Sequence, residues 1–191
     1  MRVVFSFLCL LCTSCGYRWA NEGETAISIP YIQGDRYGIF TSMLIRQINE
    51  SSKFTFSNFN GDYCLKVAIV EVTYDQIGWR RDFLLDNGVL QDNIRPTEER
   101  KNMKVEISLE QSGSDVPIFG PAIISAYVDY DYLDQDALQD LAFVDPATGP
   151  TTVLQFSLGQ LETIESAQEA SLIPIFQLLS QKIVNLLNVN L

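Results

Sequence analysis

The thiol of Cys15 is the side chain whose setting most directly specifies a chemistry. Thr13 and Ser14 stand just before it. Ahead of them runs an apolar stretch, Val3, Val4, Phe5, Ser6, Phe7, Leu8, Cys9, Leu10 and Leu11, behind a single base, Arg2. A signal peptidase that cuts ahead of a lipid-modified cysteine has a narrow pocket for the preceding residues, and Thr13 and Ser14 are small enough to enter it. Cys9 and Cys12 each follow leucine and fit that pocket poorly; Cys12 also occupies the position, three before the cut, where Leu is commonest. The apolar stretch is shorter than the about 20 residues a membrane-spanning helix needs and has the length of a signal-peptide core. The expectation is a leader over 1–14, a thioether-linked lipid on Cys15 and a short tether over 15–23. Three acyl chains, each gaining about 0.8 kcal/mol per buried CH₂, make such an anchor effectively permanent. No cofactor is expected beyond that lipid.

Cleavage there removes Cys9 and Cys12 and blocks Cys15. Only Cys64 then remains, so no intramolecular disulfide is expected in the mature chain. Cys64 lies in an apolar run and reads as a small core residue. The chain has no histidine, which excludes Ser-His-Asp and Cys-His nucleophilic mechanisms and histidine metal sites. Its glycines are scattered, without a phosphate-binding loop. Asp129, Asp131, Asp134 and Asp136 form the densest carboxylate group. They lack the turn glycine and closing Glu of a calcium loop, so no metal site is assigned and the group reads as a solvated strand end. Glu162, Glu165 and Glu169 fit the positive start of the last helix. No acid–base pair of carboxylates can be placed.

The bases are few and grouped. Arg80 and Arg81 follow Trp79, while Arg95, Arg100, Lys101 and Lys104 lie around the start of a clear strand. Beside Trp79 and Phe83 such a patch suits an anionic amphiphile, phosphate against Arg and acyl chain against aromatic. The plainer reading is surface charge offsetting Asp82, Glu98 and Glu99. The net charge is −11, or −12 once Arg2 is gone. Nucleic acid demands a basic face, so it is excluded as a partner. An anionic membrane surface offers no electrostatic gain either.

The elements that must position these groups follow from periodicity. Thr25–Ile29 alternates as a strand that Pro30 ends. Asp35 caps a helix whose stripe is Ile39, Phe40, Met43, Leu44 and Ile48. Residues 51–62 are polar and turn-rich. From Tyr63 to Tyr74 the chain alternates again. The cleanest strand is 102–110, with Met103, Val105, Ile107 and Leu109 on one face and Lys104, Glu106, Ser108 and Glu110 on the other, as in a sheet solvated on one side. Asp86-Asn87-Gly88 signals a turn between these two runs. A third strand covers 122–132. Residues 134–150 are acidic and end as a loop, 151–156 adds a short strand, and Ile164, Ala167, Leu172, Phe176, Leu179, Ile183 and Leu187 track one helical face. Pro174 predicts a break near Ile173. The fold class is α+β: a small, mostly antiparallel sheet with two helices packed on one face, in the order strand, helix, three strands, helix, as one domain over 24–191.

Cys15-Gly16-Tyr17-Arg18-Trp19, followed by Ala26-Ile27-Ser28-Ile29-Pro30, resembles the opening of the LPS-assembly lipoproteins, the LptE family. The order of elements resembles theirs too, although the acidic 134–150 stretch and Pro174 depart from it. The resemblance implies a non-catalytic lipoprotein at the outer membrane, lipid-anchored through Cys15 on the periplasmic side. There it would plug an LptD-like β-barrel, support its assembly and aid delivery of LPS, itself a candidate ligand. Gly16, where an inner-membrane retention signal would carry Asp, agrees with the outer membrane. Two other readings remain: an accessory lipoprotein of another envelope machine such as β-barrel assembly, and a lipid-anchored carboxylate enzyme.

Overall fold

A computed structural model describes residues 25–86, 89–114, 116–132, 142–147, 149–152 and 163–191, with backbone alone for 82–86, 89–93, 142–145 and 150–152. Cys15, the leader and the tether therefore lie outside the described residues, as do Asn87, Gly88, Asp134, Asp136 and Glu162.

The elements run β1 (Thr25–Ser28), α1 (Ile39–Glu50), β2 (Phe54–Phe56), β3 (Tyr63–Asp86), β4 (Val89–Gln111), β5 (Pro117–Asp131), β6 (Ala142–Asp145), β7 (Gly149–Thr152), α2 (Ile164–Ala170) and α3 (Leu172–Asn190). Five strands form one sheet in the order β2-β1-β3-β4-β5, and β6 and β7 pair as a separate hairpin. β1 runs parallel to both its neighbours, while β3, β4 and β5 are antiparallel. The fold is thus α+β and mostly antiparallel, as expected, with, among the described residues, a third, short helix and two further short strands, β2 and β6; the short strand expected over 151–156 begins earlier, as β7, and 153–156 lie outside the described residues.

Alternation decides which face of the sheet is covered. Leu65 and Val67 of β3, Met103, Val105, Ile107 and Leu109 of β4, and Ala126 of β5 are buried against Phe40, Leu44 and Ile48 of α1 and Ile175, Phe176, Leu179, Ile183 and Leu187 of α3. The Phe40 and Phe176 rings stack at 4.8 Å and fix the two helices together. By length and composition 164–190 could span a bilayer, but in this fold its apolar stripe packs on the sheet.

Several local expectations shift. α1 begins at Ile39, not directly after Asp35, because Gly38 holds the cap position with φ 68°. The Asp35 carboxylate nevertheless accepts from the Thr41 N–H and hydroxyl, both at 2.8 Å, and so does a cap's work from three residues further back. The break in the last helix falls at Ser171, two residues earlier than expected. That places Pro174 in the first turn of α3, where its missing N–H removes no intrahelical bond. Residues 51–62 contain β2, whose Phe54 is buried. The segment read as a loop from Asp145 to Pro150 overlaps the β6–β7 hairpin, in which Asp145 pairs with Gly149 and Val144 with Pro150. Cys64 is not a core residue. It is half-buried on the pleat opposite Leu65, outside the core cluster.

The largest departure is length. β3 and β4 pair from Tyr63–Gln111 through Asp86–Val89, while β5 stops at the Glu98–Asp131 pair. The outer part of the hairpin therefore runs on as a two-stranded ribbon beyond the sheet.

Candidate functional site

The six candidate bases share two strands but not one surface. Lys104 and Arg100 lie on the outward, helix-free face and are matched by carboxylates. Lys104 Nζ is 2.8 Å from Glu71. Arg100 makes two bonds to Asp129, at 2.7 and 2.8 Å, and lies over the Tyr127 ring. These bonds raise the Arg100 pKa and hold the Asp129 carboxyl below the usual carboxylate range. Asn102 donates to Asp75, and Lys66 pairs with Glu110, on the same face. On the outward face these polar groups are matched to one another, beside the exposed Ile123 and Tyr127.

Lys101 points the other way. The alternation that buries Met103 and Val105 carries it under the helices, where it is 2 % exposed. Its Nζ donates to the Gln168 carbonyl at 2.5 Å and to the Ser171 hydroxyl at 2.9 Å. It thus supplies a cation at the negative C-terminal end of α2, at the helix break. Burial lowers its pKa, against opposing pulls from Glu99 and Glu169. Next along the same pleat, the Glu99 carboxylate accepts from the Tyr130 hydroxyl and from Gln168 at 3.1 Å, and the Tyr132 hydroxyl donates to Gln76 at 2.9 Å. Burial first, and then Glu99, raises the Tyr130 and Tyr74 pKa values. This network ties the helix break to the sheet.

Beside it opens a cleft of about 570 Å³, lined by the apolar Ile69, Val72, Met103, Leu172 and Phe176, by the buried Asp35 and Lys101, and by Arg36, Tyr37, Tyr74, Glu165 and Glu169. Its lining thus joins apolar surface to both signs of charge.

Arg80, Arg81 and Arg95 lie on the ribbon. The register sets Trp79 against Pro96, Arg80 against Arg95 and Arg81 against Ile94. Pleating then puts Trp79, Arg81 and Ile94 on one face and the Arg80–Arg95 pair on the other. Trp79 and Ile94 are 61 % and 60 % exposed. An exposed tryptophan and isoleucine with an arginine between them is an unusual surface on so acidic a chain.

Residues 25–187 match the family described as lipopolysaccharide-assembly, LptE. The chain belongs to the LptE family. No curated protein matches its sequence. Among solved structures it is similar to a minor lipoprotein from Acinetobacter baumannii, at 16 % identity and TM-score 0.49 over 87 % of this chain and 92 % of that one. It is also similar to rare lipoprotein B from Shewanella oneidensis, at 15 % identity and TM-score 0.41 over 86 % and 94 %. A third likeness is to an uncharacterised lipoprotein B from Nitrosomonas europaea, at 12 % and 0.44 over 92 % and 94 %.

For this LptE-family chain, sequence reasoning missed the polar network. The signal was present: the two-residue period that buries Met103 continues back to Lys101 and Glu99, placing two charges on the covered face. Arg36 and the cleft it lines gave no signal, because the cleft joins residues more than 130 positions apart. Among the described residues no group of three or more acidic or cysteine side chains is placed to hold a metal.

Proposed function

We propose that this chain is an outer-membrane lipoprotein, held by lipid on Cys15 at the periplasmic side. It fills the lumen of an LptD-like β-barrel, supports that barrel's assembly and aids delivery of LPS to the outer leaflet. Membership of the LptE family over 25–187 carries the reading. The matched charges of the outward sheet face suit it physically, because the lumen of a wide outer-membrane barrel is polar and a plug must present polar surface to it. The role is one of binding and support rather than catalysis.

The same reading divides the candidate LPS contacts. Arg81 shares its ribbon face with the exposed Trp79 and Ile94, a guanidinium for phosphate next to apolar surface for acyl chain, while Arg80 and Arg95 sit opposite each other on the reverse face. Arg100 and Lys104 would first have to leave Asp129 and Glu71, and Lys101 is committed to the helix break.

Gentle detergent extraction should bring down one large outer-membrane barrel per copy of this protein. Depletion should lower the amount of correctly assembled barrel and the LPS at the cell surface. Charge reversal at Arg81 should weaken LPS binding, with a loss that shrinks as salt is added, and leave barrel association intact. A protein that runs alone after extraction, with surface LPS unchanged by depletion, would refute the reading.

A further inference from the structure

The sheet ends on one side at β5, and among the described residues no strand pairs with its outer edge. Two hydrogen bonds fix which backbone groups face outward. The Tyr132 N–H donates inward to the Thr97 carbonyl at 3.0 Å, and the Ser125 carbonyl accepts from outside, from Lys182 Nζ on α3 at 2.7 Å. Successive antiparallel pairs alternate between bonded and non-bonded. Counting along the unbroken register from Glu98–Asp131 to Lys104–Ser125, the N–H and carbonyl groups of Ser125, Tyr127, Asp129 and Asp131 point to the open edge. Those of Ala126, Val128 and Tyr130 serve β4.

Such an edge is a template for another strand. Here it is long, carries no proline after Pro121, and displays Ile123 and Tyr127, 66 % and 58 % exposed, on its outward face. Lys182 occupies one carbonyl as a displaceable guard.

We propose that the open edge of β5 receives an extended backbone segment of a partner protein by strand addition. The partner segment carries Lys or Arg opposite the exposed Asp131, since Asp129 is already bonded to Arg100. A second copy is the poorer occupant, because each copy has a net charge of −11 and the two would repel. A closed barrel wall has no free strand edges, so the segment comes from a loop or terminal stretch outside that wall. The source of the segment, though not the edge itself, rests on the function proposed above.

Amide hydrogen exchange tests this on the full-length protein, free and in the complex extracted from membranes. The amides of Ser125, Tyr127, Asp129 and Asp131 should exchange quickly when free and at least tenfold more slowly in the complex. Those of Ala126, Val128 and Tyr130 should be slow in both. Ser125→Pro removes an outward N–H but no bond to β4, so it should keep the melting temperature and lose the protection. Ala126→Pro breaks the ladder and should lower the melting temperature. A recovered complex in which the edge amides remain fast, or in which Ser125→Pro keeps them protected, overturns the inference and leaves the barrel reading standing. If no barrel is recovered, the barrel reading fails instead. A ten-residue peptide alternating Val and Thr with two lysines, added to the free protein, then decides the edge: protection of the same four amides supports strand addition, and its absence at millimolar peptide overturns it.

Discussion

Val105→Asp is the sharpest probe of the fold. Val105 is fully buried, opposite Ile69 on β3 and Ile124 on β5, beneath the helices. Truncating the branched side chain forfeits part of the roughly 1.5–3 kcal/mol that burying it contributes. The new carboxyl meets only apolar neighbours. Remaining ionised there costs several kcal/mol. Remaining neutral at pH 7 means binding a proton about three units above its ordinary pKa, or about 4 kcal/mol, with about 1–3 kcal/mol more for an unsatisfied polar group. By either route the loss exceeds about 5 kcal/mol, against a total stability of about 5–15 kcal/mol. For a domain of this size that is a fall in Tm of about 10–20 °C, or no folded state at all. Thermal unfolding followed by circular dichroism reads it directly. The deficit should shrink at pH 4, where neutralising the carboxyl costs little. Glu106→Gln, one residue along on the solvated face, should change stability by less than about 0.5 kcal/mol. A Val105→Asp melting point within about 2 °C of the parent would refute the assignment of the covered face.

Three further outcomes are expected. Cys15→Ser should abolish incorporation of labelled fatty acid, and persistent label would displace the anchor from that residue. Lys101 has its pKa lowered by burial, so the unfolded chain binds more protons than the folded one between that lowered value and 10.5. Stability should therefore rise with pH through that window relative to Lys101→Met, and parallel pH profiles for the two proteins would show that Lys101 titrates as if exposed. Gly120 has φ 90°, and a Cβ there would lie 2.5 Å from the Ile107 carbonyl oxygen. Gly120→Ala should lower stability by at least about 1–2 kcal/mol, measurable as a shift in denaturant midpoint.

Much of this architecture was legible because period-two alternation reports burial directly. Met103 to Leu109, and the Phe40–Leu44–Ile48 stripe, needed only to be read for spacing. The failures have physical causes. β2 is three residues long, too short for a period to show, and is held by pairing with β1, remote in sequence. The ribbon was hidden because Arg, Asp and Asn interrupt its apolar residues, so the two strands looked like a connection even though the turn signal at 86–88 lay where their ladder closes. Cys64 was misplaced by composition, since an apolar neighbourhood does not say which pleat a residue occupies. The candidate bases were grouped by closeness in sequence, whereas adjacent strand residues point to opposite faces: Arg100 reached Asp129 in the open, and its neighbour Lys101 reached Ser171 under the helices.

The position of β1 has a mechanical consequence. It is the first described element, yet it lies inside the sheet, paired on both sides with strands running in its own direction. Tension entering through the chain ahead of Thr25 and directed along the strand loads its bonds to β2 and β3 together, in shear. It does not peel them apart one at a time. The Asp62 carboxylate, which accepts from the Ala26 N–H at 2.9 Å, and the Thr25 N–H bond to the Lys53 carbonyl at 3.0 Å add two more attachments at the loaded end. A domain built this way should resist being pulled from its N-terminus far better than from Leu191, where tension meets the last turn of a helix and can unwind it turn by turn.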